Sequence, residues 1–216
     1  MMKRVMLTAI IFISLVGCSN IGALFDFGAS EKAIGQISQL VNQRNAIHSK
    51  LSAGLDSSNM QWTIKKLEQS YQQGKSDPKL LQNLLNQINR SKTSTKERLN
   101  RTKAIYSQAA ELKYNLHDLP SERKKMAIHA LDAFIDLTAK EIELFHFSIK
   151  MDEQNETYYQ AMGTGKPLPK DDYERLRQEQ IKRNKEIKRL SDRFNRVWDI
   201  FNVEITGQKV KDPGAF

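Results

Sequence analysis

The stretch LDAFIDLTAKEIELFHFSIKM, Leu131–Met151, decides the fold. Wound at 100° per residue, it places Leu131, Phe134, Ile135, Thr138, Ile142, Phe145 and Ile149 on one face. Leu137, Leu144, Phe147 and Met151 form a second stripe on nearly the opposite side. A helix that is apolar on two faces either runs between neighbours in a bundle or turns one stripe toward a partner. A central bundle helix is the expectation for the fold. The second stripe is the candidate partner-binding surface.

The same helical period extends outward in both directions. Upstream, His117-Asp118-Leu119-Pro120 ends a preceding helix and Ser121-Glu122 restarts the chain. That preceding helix opens at Ser76-Asp77-Pro78, a cap with proline in the first turn, and runs Leu81, Leu84, Leu85, Ile88, then Leu99, Thr102, Ile105, Ala109, Leu112 and Leu116. Its seam thins between Asn89 and Arg98 to Ser91 and Thr95, in phase but polar. With no Gly or Pro there, one continuous rod of roughly 60 Å is expected. Earlier still, a first helix is expected from Ser30, carrying Ile34, Ile37, Val41, Ile47, Leu51 and Leu55. Gly54 and Asp56-Ser57-Ser58-Asn59 should break it, and a shorter helix with Trp62, Ile64, Leu67 and Tyr71 should stop at Gly74.

Downstream, Met162–Pro169 reads as a loop. It has two glycines and a lysine, but neither the spacing of a phosphate loop nor a strand before it, so no nucleotide role is assigned. Asp171-Asp172 should cap a last helix whose seam includes Tyr173, Leu176, Ile181, Ile187, Leu190, Phe194, Val197, Trp198, Phe201 and Ile205. Steps near 3.5 suit coiled-coil-like packing, with Gln180 and Asn184 as polar members able to set register. Gly207 ends it, and residues 207–216 are expected to form a flexible tail. The sequence therefore predicts an all-α fold, an elongated antiparallel bundle of long helices over residues 31–206. With 39% apolar and 27% charged residues, disorder is not expected for most of the chain.

The first residues carry an address. Lys3 and Arg4 precede an almost unbroken apolar run, Val5 to Val16, which is too short to span a bilayer comfortably. Leu15-Val16-Gly17-Cys18 closes it and resembles a bacterial lipobox, in which the cysteine sulfur takes a diacylglyceryl group. The resemblance implies a signal peptide over residues 1–17, acylation at Cys18, a tether over 18–30, and a palmitate-type lipid anchor in place of a transmembrane helix. The expected location is the outer face of a cell membrane. Ser19, rather than aspartate, after the cysteine permits outer-membrane delivery in a source with two membranes. Cys18 is the only cysteine, so acylation there leaves no thiol for a disulfide, a nucleophile or a metal.

Charge then narrows the partners. The chain carries +9, of which Lys3 and Arg4 contribute two. Outside the cell this balance favours anionic wall polymers, lipid head groups or an acidic envelope protein, and export argues against nucleic acid. Nine Lys or Arg face four Glu or Asp between Tyr173 and Arg196, and six face one between Arg90 and Lys103. Packed together, the two rods would make a positive strip. Arg175, Arg177, Lys182, Arg183, Lys185, Lys188 and Arg189 are the candidate polyanion-binding residues.

Tests for catalysis and metals return little. No two of His48, His117, His129 and His146 lie three or four apart, so no helical histidine pair can close on zinc. Glu143-Leu144-Phe145-His146 matches the Glu-x-x-His of di-iron bundles, but only once, and Glu143 shares a polar stripe with His129, Asp132, Asp136 and Lys140. No serine sits in a Gly-x-Ser-x-Gly elbow. The expectation is a chain without an active site, a metal or a cofactor. A lipobox, long helices and a final helix with Asn184, Asn195, Phe194, Trp198 and Phe201 make the layout similar to that of cell-wall-binding helical lipoproteins of Gram-positive bacteria. That resemblance implies a helical bundle outside the membrane, associated with the wall.

Overall fold

Each helix begins and ends on local chemistry. The structure, a computed structural model, describes residues 29–52, 57–75, 77–117, 119, 121–166, 168 and 170–206. Its five helices are α1 (Ala29–Ser52), α2 (Ser57–Gln72), α3 (Pro78–Tyr114), α4 (Ser121–Gly163) and α5 (Lys170–Thr206), with no strand among the described residues. Asp77 caps α3, its Oδ1 accepting from the Leu80 N–H at 3.0 Å, and Pro78 occupies the first turn. α2 closes at Gly74, whose φ of 66° is a left-handed conformation that favours glycine; beyond it the Lys75 N–H donates to the Ser70 carbonyl at 2.9 Å. α4 ends the same way at Gly165, with the Lys166 N–H on the Ala161 carbonyl at 2.8 Å.

The fold is all-α, as the periodicity predicts, and α3 is unbroken from Pro78 to Tyr114. Two boundaries differ from expectation. Ser57-Ser58-Asn59, read as a break, form the first turn of α2, because residues that compete with helix interiors are favoured at helix starts. α5 begins at Lys170, so Asp171 and Asp172 fall inside its first turn, where acidic groups suit the helix dipole. The expected signal peptide 1–17, the lipobox-like Leu15–Cys18, the expected tether up to residue 28 and the expected tail 207–216 lie outside the described residues. No helix among the described residues is long and apolar enough to cross a membrane.

α3 and α4 form a long antiparallel hairpin that organises the rest. Lys113 meets Asp132 at 2.5 Å and Lys92 meets Glu156 at 3.0 Å, which fixes the register from the turn to the open end. α5 returns antiparallel along α4, with Arg193 on Asp136 at 3.0 Å and Arg183 3.8 Å from Glu143. α1 packs on α3, and α2 on the open end of the hairpin.

Burial is concentrated at the two ends. Near the turn, Ile37 and Val41 of α1, Ala109 of α3, Leu131 and Phe134 of α4, and Phe194, Trp198 and Phe201 of α5 form one core, closed by Leu116 and Leu119 of the connection. Phe134 and Phe194 lie 5.4 Å apart between ring centroids, Phe194 and Trp198 6.0 Å, Trp198 and Phe201 5.4 Å, a ladder across α4 and α5. At the open end, Ile64 and Leu67 of α2 join Leu84, Ile88, Tyr158, Tyr159 and Met162 in a second core. Between these cores the α3–α4 seam places polar groups among the buried Leu99, Leu144, Phe145 and Met151. Thr95, Arg98 and Thr102 face a buried run that includes Glu141, Ser148, Asp152 and Asn155.

α4 is covered on more than one side, which explains its two apolar stripes. Leu137, Leu144 and Met151, offered above as a partner-binding stripe with Phe147, are buried, and Phe147 is half-buried with the Arg183 guanidinium 4.9 Å from its ring centroid. Three of the four stripe residues are therefore packed within the chain, and only part of Phe147 reaches the surface.

Candidate polyanion-binding face

The outward face of α5 follows directly from its inward one. Leu176, Leu190, Phe194 and Phe201 are buried, and they set the side of the helix that faces the bundle. At 100° per residue, Arg175, Lys182, Lys185, Arg189 and Arg196 then fall on the opposite flank within an arc of about 80°. All five are exposed. Of the α5 carboxylates, Asp171 shares that arc one turn before Arg175, and Asp172, Glu174, Glu179, Glu186, Asp192, Asp199 and Glu204 lie outside it, so from Arg175 to Arg196 the cations form a row about 32 Å long with no α5 carboxylate between them. Lys182, Lys185, Arg189 and Arg196 make no ion pair among the described residues. Arg193 lies at the border of the row and is held by Asp136.

Three of the seven residues named from sequence are placed differently. Arg177 is half-buried and 3.7 Å from Glu174. Arg183 is also half-buried, with its Nε 2.9 Å from Glu179 and a nitrogen 3.8 Å from Glu143. Lys188 is exposed but pairs with Asp192 at 3.1 Å. These cations are on the flanks of α5, and carboxylates already partly neutralise them. Arg196, counted in the basic run but not named, belongs to the row.

The second basic run does not extend this face. Arg98 is 2% exposed, Lys92 is paired with Glu156, and Arg101 pairs with Glu97 at 2.5 Å. α3 and α5 both pack along α4 and share no extended contact among the described residues. The two rods therefore do not merge into one strip. Glu143 of the Glu-x-x-His match is engaged by Lys140 at 2.9 Å, and both Glu143 and His146 face outward.

A buried charge cluster went unread in the sequence. Glu141, 2% exposed, accepts from Arg44 Nε at 3.1 Å to each carboxylate oxygen and also from Arg44 Nη2, and His48 Nε2 lies 3.1 Å from its Oε1. Burial by itself would raise the Glu141 pKa, but the charges and hydrogen bonds of Arg44 and His48 overcome it, and the pKa falls to about 2. The signal was two matching gaps. Position 44 interrupts the seam Ile37, Val41, Ile47, and position 141 interrupts Phe134, Thr138, Phe145, with opposite charges in the two gaps.

About three turns further along α4, Asp152 is pushed up to about 7, chiefly by burial, against a hydrogen bond from Ser91 and the charge of Lys92. Between α1 and α3 lies a shallow groove of about 400 Å³, walled by Gln36, Gln39, Gln43, Gln108 and Asn115 over Leu40 and Leu112. No protein-family model, curated protein or solved structure matches the chain.

Proposed function

We propose that this chain is a lipid-anchored binding protein of the cell envelope whose α5 outer face holds phosphate-rich anionic material, a wall polymer or lipid head groups. The observation that carries the reading is the row Arg175, Lys182, Lys185, Arg189 and Arg196, exposed along one flank with no carboxylate of α5 among them. A repeated phosphate presents charges along a line, and a straight helix presents cations along a line, so several weak contacts add without reshaping the protein. Each contact is exposed and therefore screened by salt beyond roughly 8 Å at physiological ionic strength. The lipobox residues Leu15, Val16, Gly17 and Cys18 supply the location, by placing the bundle where such polymers and head groups are. The fold itself adds rigidity, because the inward side of α5 is committed to the aromatic ladder.

The experiment is co-sedimentation of residues 19–216 with purified cell-wall sacculi, beside binding to soluble polyphosphate, at low and high salt. The expected result is binding at low salt, lost at high salt, and weakened when Lys182, Lys185, Arg189 and Arg196 are all changed to Gln. Binding that ignores both salt and the fourfold change would refute the reading.

A further inference from the structure

We propose that the acylated chain lies along the membrane that anchors it, with the α5 face from Arg175 to Ile200 resting on anionic lipid head groups. This rests on the polyanion reading above and commits it to one source of phosphate.

The tether and the basic row leave from the same end of the bundle. Ile34 and Ile37, at the start of α1, pack in one core with Leu116 and Leu119 of the α3–α4 turn and with Trp198 and Phe201 near the end of α5. α1 therefore begins at the Arg196 end of the row. Between Cys18 and Ala29 stand ten residues, which reach at most about 35 Å when extended. That limit is close to the length of the row, so an anchored bundle has its basic flank within reach of the bilayer along its whole length.

Ile200 adds an apolar group at the right place. It is 61% exposed and shares the outward arc of Lys182 and Arg196, at the end nearest the tether. In water that side chain is uncovered; at a head-group boundary it would be buried while the row above it meets phosphate. Lysine and arginine stems also reach outward and keep their charges at the phosphate level. At an anionic surface each cation near the head groups strengthens attachment by about fivefold, and the effect falls off within a Debye length. A wall polymer some distance from the membrane gains nothing from the shared end or from Ile200.

The test uses the acylated chain, extracted from membranes and reconstituted into vesicles. Cys18 is the only cysteine and is consumed by acylation, so a single new cysteine takes a fluorescent label. Gln178→Cys reports from the row without removing a cation, and Ala104→Cys reports from the exposed side of α3. A water-soluble quencher is applied to vesicles containing phosphatidylglycerol and to vesicles of phosphatidylcholine alone. The expected result is that label 178 loses quenching only on anionic vesicles and regains it in high salt, while label 104 is quenched throughout. Ile200→Ser, with its cations intact, should return part of the quenching at 178. Equal quenching at 178 on both vesicle types, with soluble polyphosphate still bound, would overturn the membrane orientation and leave the polyanion reading standing. Equal quenching with no polyphosphate binding would overturn both.

Discussion

Glu141 shows how a buried charge constrains the chain. Arg44 and Glu141 are 4% and 2% exposed, so neither can be rehydrated if its partner is lost. Glu141→Ala is expected to destabilise by about 3–5 kcal/mol, read by urea unfolding at pH 7, because it leaves the guanidinium buried without its carboxylate. The double replacement Arg44→Met with Glu141→Leu should recover most of that loss, since apolar residues of similar volume need no desolvation. Acid acts on the same pair. The folded pKa of Glu141 is about 2, below its ordinary 4.5, so the stability it contributes is complete above pH 4.5 and is lost as pH falls toward 2. Asp152 has the opposite sign. Its folded pKa is raised to about 7, so the folded chain holds a proton that the unfolded chain releases near pH 4, and stability declines as pH rises from 4 through 7. Asp152→Asn should therefore raise the melting temperature at pH 8 and leave it nearly unchanged at pH 4. A variant equally stabilised at both pH values would show that ionisation of Asp152 is not the cause.

At the scale of elements, the apolar period was readable wherever burial is apolar and unreadable where it is not. Leu84, Ile88, Leu99, Ile105 and Leu112 gave α3 its inward face, and Ser91 and Thr95 kept phase through the thin stretch. What faces that stretch could not be seen, because Ser148, Asp152 and Asn155 read as ordinary surface residues of α4 until a polar partner seam is placed opposite. For the same reason the stripe Leu137, Leu144 and Met151 looked available to a partner: a single helix does not say how many neighbours it has. On α5 the basic residues were legible by count. Their division into the row and the paired Arg177, Arg183 and Lys188 depended on which carboxylates the fold brings near, and Glu143 comes from another helix. Lys182, Lys185, Arg189 and Arg196 are exposed and make no ion pair among the described residues, so changing all four to Gln should alter unfolding free energy by no more than about 0.5 kcal/mol per site. Chemical denaturation beside the sedimentation assay separates lost binding from lost fold. Gly163 tests the close approach of α4 to α3, since a Cβ there would collide with the Leu81 side chain. Gly163→Ala is expected to cost about 1–3 kcal/mol unless Leu81 changes rotamer, which a companion Leu81→Ala variant would reveal by relief of the strain.

Over the whole molecule, the helices are not held equally. α4 makes long contacts with α3 and with α5, whereas α1 packs on α3 beside a groove walled by glutamines and meets α4 both in the shared apolar core and through Arg44 and His48. Apolar contact is insensitive to a single charge, but the polar part of the α1–α4 contact, Arg44 and His48 on Glu141, depends on one carboxylate. Native-state hydrogen exchange should therefore show α1 opening at lower free energy than the α3–α4 hairpin, as a separate cooperative unit. Glu141→Gln should lower protection in α1 selectively, because the neutral amide no longer balances the buried guanidinium. Loss spread evenly over α1, α3, α4 and α5 would mean instead that the bundle opens only as one unit and that the ion pair stabilises the whole. The distinction bears on the proposed envelope role, since α1 follows the expected tether, and any pull transmitted through residues before Ala29 loads α1 and its contacts with the hairpin, Ile34 and Ile37 first and the Arg44–Glu141 pair after them.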